Sequence, residues 1–174
     1  FFKIVKLQEK TKGFMAFIPW NFEPNNTLMQ KENLVPYGTG GTQLLKMIAI
    51  SRLVFDGLIP HIQSSWLTNG VGMAQLALQY GANDFGGTLI NESISTSAGS
   101  EYGQLLRPKE IRRMVREIGR IPAERNTQYK MLKKFETENE VEDGLDKITD
   151  YSQFGSYAEL IKINKFKYKN PREE

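Results

Sequence analysis

Cysteine is absent from the 174 residues, and histidine occurs once, at His61. Without thiols the chain forms no disulfide and offers no thiolate to a metal, and a lone imidazole makes a poor metal site. An apolar stretch long enough to cross a bilayer is also missing, as is a secretory signal pattern. The expectation is a cytoplasmic protein with no membrane partner. Charge of one sign is lacking too. The 23 basic residues are interspersed with 20 acidic ones for a net +3, which describes a mixed solvated surface and argues against a nucleic-acid partner. No Walker loop, dinucleotide fingerprint or Ser-His-Asp order is found. Gly38 to Thr42 has the glycines of a phosphate cradle but lacks the following Lys and follows a loop, so it reads as a helix start.

What is present is an ordinary globular composition, 40% hydrophobic and 25% charged. Three strand-then-helix units follow in series. Phe14 to Trp20 reads as a strand, and after a loop rich in Pro and Asn comes a helix from Thr39 to about Gly57, with Leu44, Met47, Ile48, Val54 and Phe55 on its apolar side. Ile59 to Trp66 reads as the second strand; its helix sets Met73, Leu76, Ala77 and Tyr80 at i, i+3, i+4 and i+7, the spacing of a buried stripe. Ala82 to Ile90 reads as the third, with a last helix opening at Pro108 and carrying Ile111, Met114, Val115 and Ile118. Alternation of this kind predicts an α/β fold with parallel strands, either a doubly wound sheet or a barrel. In both, ligands sit beyond the C-terminal strand ends.

Those ends are polar: Pro19 to Glu23, Gln63 to Trp66, and Asn83 to Thr88 continued by Asn91 and Glu92. Gln63 and Ser65 share one strand face and either contact a ligand or satisfy each other. Asn83 reads equally as a turn cap or a ligand contact. Asp84 is the stronger functional candidate, because a carboxylate inside an apolar run needs a partner. Glu92 also reads as the N-terminal charge of a helix over Ser93 to Ala98. Beyond Glu136 an acidic run gives way to a basic one, which reads as a charged extension, 137–174, following a folded region, 1–136.

The strings Phe17 to Phe22, Ile62 to Trp66, Gly81 to Thr88, Glu92 to Ser95 with Ala98 and Gly99, and Gly119 to Pro122 with Arg125, Thr127 and Tyr129, taken in order, resemble one radical-SAM (S-adenosylmethionine) group. That group holds the two halves of deazaflavin (FO) synthase and the futalosine-pathway enzymes of menaquinone synthesis. The third-strand motif and the Gly119 to Pro122 string are most similar to the tyrosine-transferring FO synthase subunit. Phe17 to Phe22 is more similar to the cyclase acting on dehypoxanthine futalosine.

The resemblance implies the last three βα units of a (βα)8 TIM-like barrel, so that the chain would be a C-terminal half. It implies a transferase using SAM and a 4Fe–4S cluster, whose three Cys ligands lie outside these residues. A SAM-derived radical would take hydrogen from tyrosine, and a 4-hydroxybenzyl fragment would join 5-amino-6-(D-ribitylamino)uracil. Ile18, Pro19 and Asn21 would border SAM. Gln63, Ser65, Asn83, Thr88 and Glu92 would bind substrate, and Asp84 would accept a proton or pair with a substrate amine. The other FO synthase subunit is an implied partner. A chain without Cys would be inactive alone, and a non-catalytic half-barrel binding module is the alternative of another class.

Overall fold

The computed structural model describes residues 1–22, 24, 27–35, 37–89, 105–137 and 143–148. Helix α1 (Phe2–Thr11) leads to strand β1 (Ala16–Phe17). The short α2 (Leu28–Lys31) and the long α3 (Gly41–Val54) follow, then strand β2 (His61–Ile62). Helices α4 (Trp66–Asn69) and α5 (Val71–Gln79) come next, separated by Gly70. Helix α6 (Pro108–Glu117), the hairpin β3 (Ala123–Arg125) and β4 (Met131–Lys134), and a 3-10 turn at Gly144–Lys147 complete the described elements.

β1 and β2 are parallel, with Ala16 opposite His61 and Phe17 opposite Ile62. The third expected strand lies beside β2 in the same direction but is reduced to one parallel bridge, Gln63 with Asp84. Asn83 explains the shortening. Its side-chain oxygen accepts the Ile62 N–H at 2.8 Å and its amide donates to the Pro60 carbonyl at 2.9 Å, so a side chain stands where ladder bonds would form. The Ile62 carbonyl then accepts from the backbone of both Asn83 and Asp84.

One side of these strands carries the core. Leu44 and Ile48 of α3, Ile62, Trp66, Ala74, Ala77 and Leu78 pack there with Ala82, Phe85, Leu106 and Met114. On α5 the buried residues are Ala74, Ala77 and Leu78, whereas Leu76 and Tyr80 are exposed. The stripe expected at Met73, Leu76, Ala77 and Tyr80 is thus rotated. Two alanines let the helix approach its neighbours closely, which the larger side chains would prevent. α6 keeps its expected stripe, with Met114 buried and Ile111, Val115 and Ile118 packed against the core. Gln75 and Gln79 of α5 donate to the carbonyls of Met114 and Ile118 at 2.9 Å each, joining the two helices. Gln8 ties α1 to the sheet, bonding the backbone of Phe14 in both senses and the Leu58 carbonyl.

The antiparallel hairpin β3–β4 has no counterpart in the strand–helix pattern of the sequence. Its loop is closed by Asn126, whose side-chain oxygen accepts from the N–H groups of Gln128 and Lys130. Residues 143–148 dock on α6. Asp146 accepts from the Lys109 N–H at 2.9 Å and pairs with Arg112 at 2.9 Å.

Candidate functional site

Alternation along β2 decides which side chains face away from the helices. Ile62 and Ser64 are fully buried on the core side. His61 and Gln63 therefore point to the other face, and Asp84, bridged to Gln63, joins them. Both Asp84 oxygens are engaged. Oδ1 accepts the Gly86 N–H at 2.8 Å, and Oδ2 accepts Nε of Arg125 from the hairpin. Asp84 is 8% exposed, so this partner answers the burial cost of its charge.

Arg125 lies over the Tyr129 ring, 4.1 Å from its centroid, and Tyr129 stacks on His61 at 4.5 Å. Tyr129 has a positive φ of 61°, the left-handed conformation that turns its ring back onto this face. The electrostatics follow from burial and from the Asp84–Arg125 pair. Burial lowers the His61 pKa below 6.5, helped by Arg125 and Arg52 and opposed by Asp84. Burial and the Asp84 charge raise the Tyr129 pKa against Arg125. Burial disfavours the Arg125 cation, but the Asp84 hydrogen bond and charge outweigh it and the pKa is raised.

Gln63 is half-buried, and its carboxamide has no hydrogen-bond partner among the described residues. Gly86, at φ 103°, lies beside it: a Cβ there would stand 3.2 Å from Gln63 Nε2, so glycine leaves the carboxamide room and takes up the positive φ without strain. Trp66 closes the same corner by donating its indole N–H to the Gly87 carbonyl at 2.9 Å. Ser65, 5% exposed, sits at φ 49° and ψ 75°, a strained setting for a residue with a Cβ. Its hydroxyl lies 3.1 Å from that of Thr68.

The other sequence candidates scatter around this corner. Asn83 is exposed and bonded to the backbone of Pro60 and Ile62. Thr88 is half-buried; its carbonyl accepts from Leu106 N, and its hydroxyl has no partner among the described residues. Past the end of β1, Ile18 is 40% exposed and Pro19 is buried. Asn21 donates to the side-chain oxygen of Asn69, which itself donates to the carbonyls of Ser64 and Ser65 at 3.0 Å. Asn69 thereby links the ends of β1 and β2. Beside it opens a cleft of about 190 Å³, lined by Asn21, Gly38, Thr39, Gly41, Leu44, Thr68, Asn69 and Met73. Glu92 lies outside the described residues.

Sequence reasoning did not single out Arg125, Tyr129 or Asn69 for a site role. The first two lie in a hairpin distant in the chain, and the third on a four-residue helix without a periodic signature. Among the described residues no group of three His, Cys, Asp or Glu is placed to hold a metal ion, and no helix is long and apolar enough to cross a membrane.

Parallel strands with helices on one face and converging polar groups on the other define an α/β protein. Residues 11–138 match the family described as the CofH/MqnC C-terminal region, and the chain belongs to that family. It is 48% identical over 131 residues to a 5-amino-6-(D-ribitylamino)uracil–L-tyrosine 4-hydroxyphenyl transferase of Methanocaldococcus jannaschii, covering 75% of this chain and 36% of the relative. The transferase of the same name from Methanothermobacter thermautotrophicus is 50% identical over 127 residues, 73% of this chain and 35% of that one. A cyclic dehypoxanthine futalosine synthase of Halalkalibacterium halodurans is 43% identical over 136 residues, 78% and 35% of the respective chains. The chain thus spans about a third of the length of the curated relatives it matches.

Proposed function

We propose that this chain is the C-terminal part of a radical-SAM transferase that joins the 4-hydroxybenzyl fragment of tyrosine to 5-amino-6-(D-ribitylamino)uracil in deazaflavin coenzyme synthesis. The observation that carries the reading is the likeness to transferases of that name over three quarters of the chain. The three parallel strand positions then belong to the last three βα units of a (βα)8 barrel, with the Gln63 and Asp84 face as its interior. Residues 1–136 form the barrel part and 137–174 a charged extension.

The 4Fe–4S cluster does not fit the residues of this chain, which has no Cys, and its ligands belong to the rest of the enzyme. SAM fits better. The backbone N–H groups of Ile18 and Trp20 carry no hydrogen bond to described residues, so with Pro19 and Asn21 they offer an open edge for a heteroaromatic ring and a ribose. When bound, SAM supplies the radical chemistry. This chain orients the substrates: the Gln63 carboxamide, without a hydrogen-bond partner among the described residues, and the Ser65 and Thr88 hydroxyls bind them. Glu92 would add a further contact, and Asn83, bonded to Pro60 and Ile62, serves the strand geometry more than the substrate. Asp84, fixed by Gly86 and Arg125, presents an oriented negative charge to a substrate amine. Both its oxygens are already engaged, which favours that role over proton transfer.

Reconstituting the complete enzyme with cluster and SAM, then supplying tyrosine and the ribitylaminouracil, tests the reading by mass spectrometry. The expected result is the 4-hydroxybenzyl adduct. Turnover of dehypoxanthine futalosine instead would move the assignment to the futalosine synthase, which the Phe17 to Phe22 string and the Halalkalibacterium relative favour. A complete enzyme partner, the other FO synthase subunit, would consume or complete the adduct.

A further inference from the structure

Hairpin β3–β4 touches the strand ends at one corner, and the contacts there form a chain. The Tyr129 ring stacks with the imidazole of His61 and also carries the guanidinium of Arg125 on its face. Arg125 also donates from Nη1 to the Asn126 carbonyl at 3.0 Å, so its fork is fixed at the hairpin as well as at Asp84. Asp84 passes the constraint to the turn after it by accepting the Gly86 N–H. That turn sets Gly86, without a Cβ, beside the Gln63 amide and puts the Gly87 carbonyl on the Trp66 indole. Removing the Arg125 end leaves a buried carboxylate without its cation and frees the turn beside Gln63.

We propose that Arg125, braced by Tyr129, is a positioning residue that acts through Asp84 and Gly86 to hold the Gln63 carboxamide toward substrate. This rests on the substrate-facing role proposed above for Gln63. Arg125 itself contacts no substrate; a planar guanidinium is required because one group must reach a carboxylate, a carbonyl and a ring face together.

The test uses the complete enzyme and the variants Arg125→Gln, Arg125→Lys and Tyr129→Leu. Substrate KM, kcat and SAM cleavage without substrate are measured for each. The Trp66 indole N–H resonance is followed in protein labelled with 15N-tryptophan and assigned by Trp66→Phe. Losing one oriented hydrogen bond to substrate predicts about a 3- to 10-fold rise in KM for Arg125→Gln, with kcat held within about twofold. Uncoupled SAM cleavage should be unchanged, and the Trp66 resonance should shift. Arg125→Lys should recover part of the KM and part of the shift, and Tyr129→Leu should fall between wild type and Arg125→Gln. An unchanged KM in Arg125→Gln overturns the proposal, as does parallel loss of turnover and SAM cleavage with a lowered melting temperature. Should the wild type turn over neither candidate substrate pair, the transferase reading fails separately. The Trp66 resonance then decides alone, and an unmoved signal in Arg125→Gln overturns the proposal.

Discussion

Asp84 and Arg125 form an ion pair whose acid is nearly closed to solvent and whose base is about a third exposed, with side-chain exposures of 6% and 30%. The Asp84→Asn variant separates charge from shape, since the amide oxygen still accepts the Gly86 N–H while the Arg125 cation loses its counter-charge. In the complete enzyme, losing a charged hydrogen bond to substrate costs about 1.5–3 kcal/mol, or roughly one to two orders of magnitude in kcat/KM. SAM cleavage without product should persist. Near-normal turnover with only a lowered melting temperature would assign Asp84 to the fold alone. The carboxylate itself was legible in the sequence, because a charge within Ala82 to Ile90 needs a partner. The partner's identity was not, because Arg125 is 41 residues further on and no local periodicity relates the two. The juxtaposition of Gln63 with Asp84 follows from parallel pairing, whereas the Asn83 side chain replaces ladder bonds by contacts that only the coordinates reveal.

At the scale of elements, α3, α5 and α6 were readable from apolar spacing, although on α3 the expected Met47 is 42% exposed and on α5 the alanines and not the larger residues face inward. The hairpin escaped because it buries little. All four residues of β4 are exposed, so no alternation marks it. Residues 143–148 are held by the Asp146 carboxylate and by Arg107, whose Nη2 donates to the Ile148 carbonyl at 2.8 Å. Asp146 has a side chain with 0% exposure. Burial raises its pKa, but the Lys109 N–H, Arg112 and the Asp143 N–H more than offset this and hold it below 3.8. A carboxylate depressed in the folded state contributes stability above its unfolded value and loses it as pH falls toward the folded one. His61, also depressed, behaves in the same direction from about 6.5 downward, since its imidazole must charge against burial and two arginines. Acid should therefore weaken the chain in two stages, one beginning near 6.5 and one below 3.8. Asp146→Asn should remove the lower stage and destabilise by about 1–3 kcal/mol at neutral pH. Denaturant titrations at several pH values check both, and an Asp146→Asn variant that keeps the lower stage would contradict the assignment.

Among the described residues, several large apolar side chains are exposed together. Trp20, Leu28, Leu34 and Tyr37, all between β1 and α3, are 76%, 68%, 66% and 84% exposed, and Phe2 and Leu53 are 80% exposed. β1 pairs with β2 along one edge, and among the described residues its other edge has no partner strand. An open edge beside exposed aromatic and aliphatic side chains is a template for pairing with another strand. In the barrel proposed above, both would be covered by neighbouring strands and by the loops at their ends. The 174-residue chain by itself should therefore self-associate, seen as concentration-dependent sedimentation, strong binding of a hydrophobic dye and a broad thermal transition. Replacing Trp20, Leu34 and Tyr37 together by Ser should reduce the association without restoring a sharp transition, because the strand edge remains open. A soluble monomer with a cooperative melt and no dye binding would sink this expectation. It would mean that the described strands and helices suffice as a unit, and the non-catalytic binding module would then displace the half-barrel as the better account of the chain.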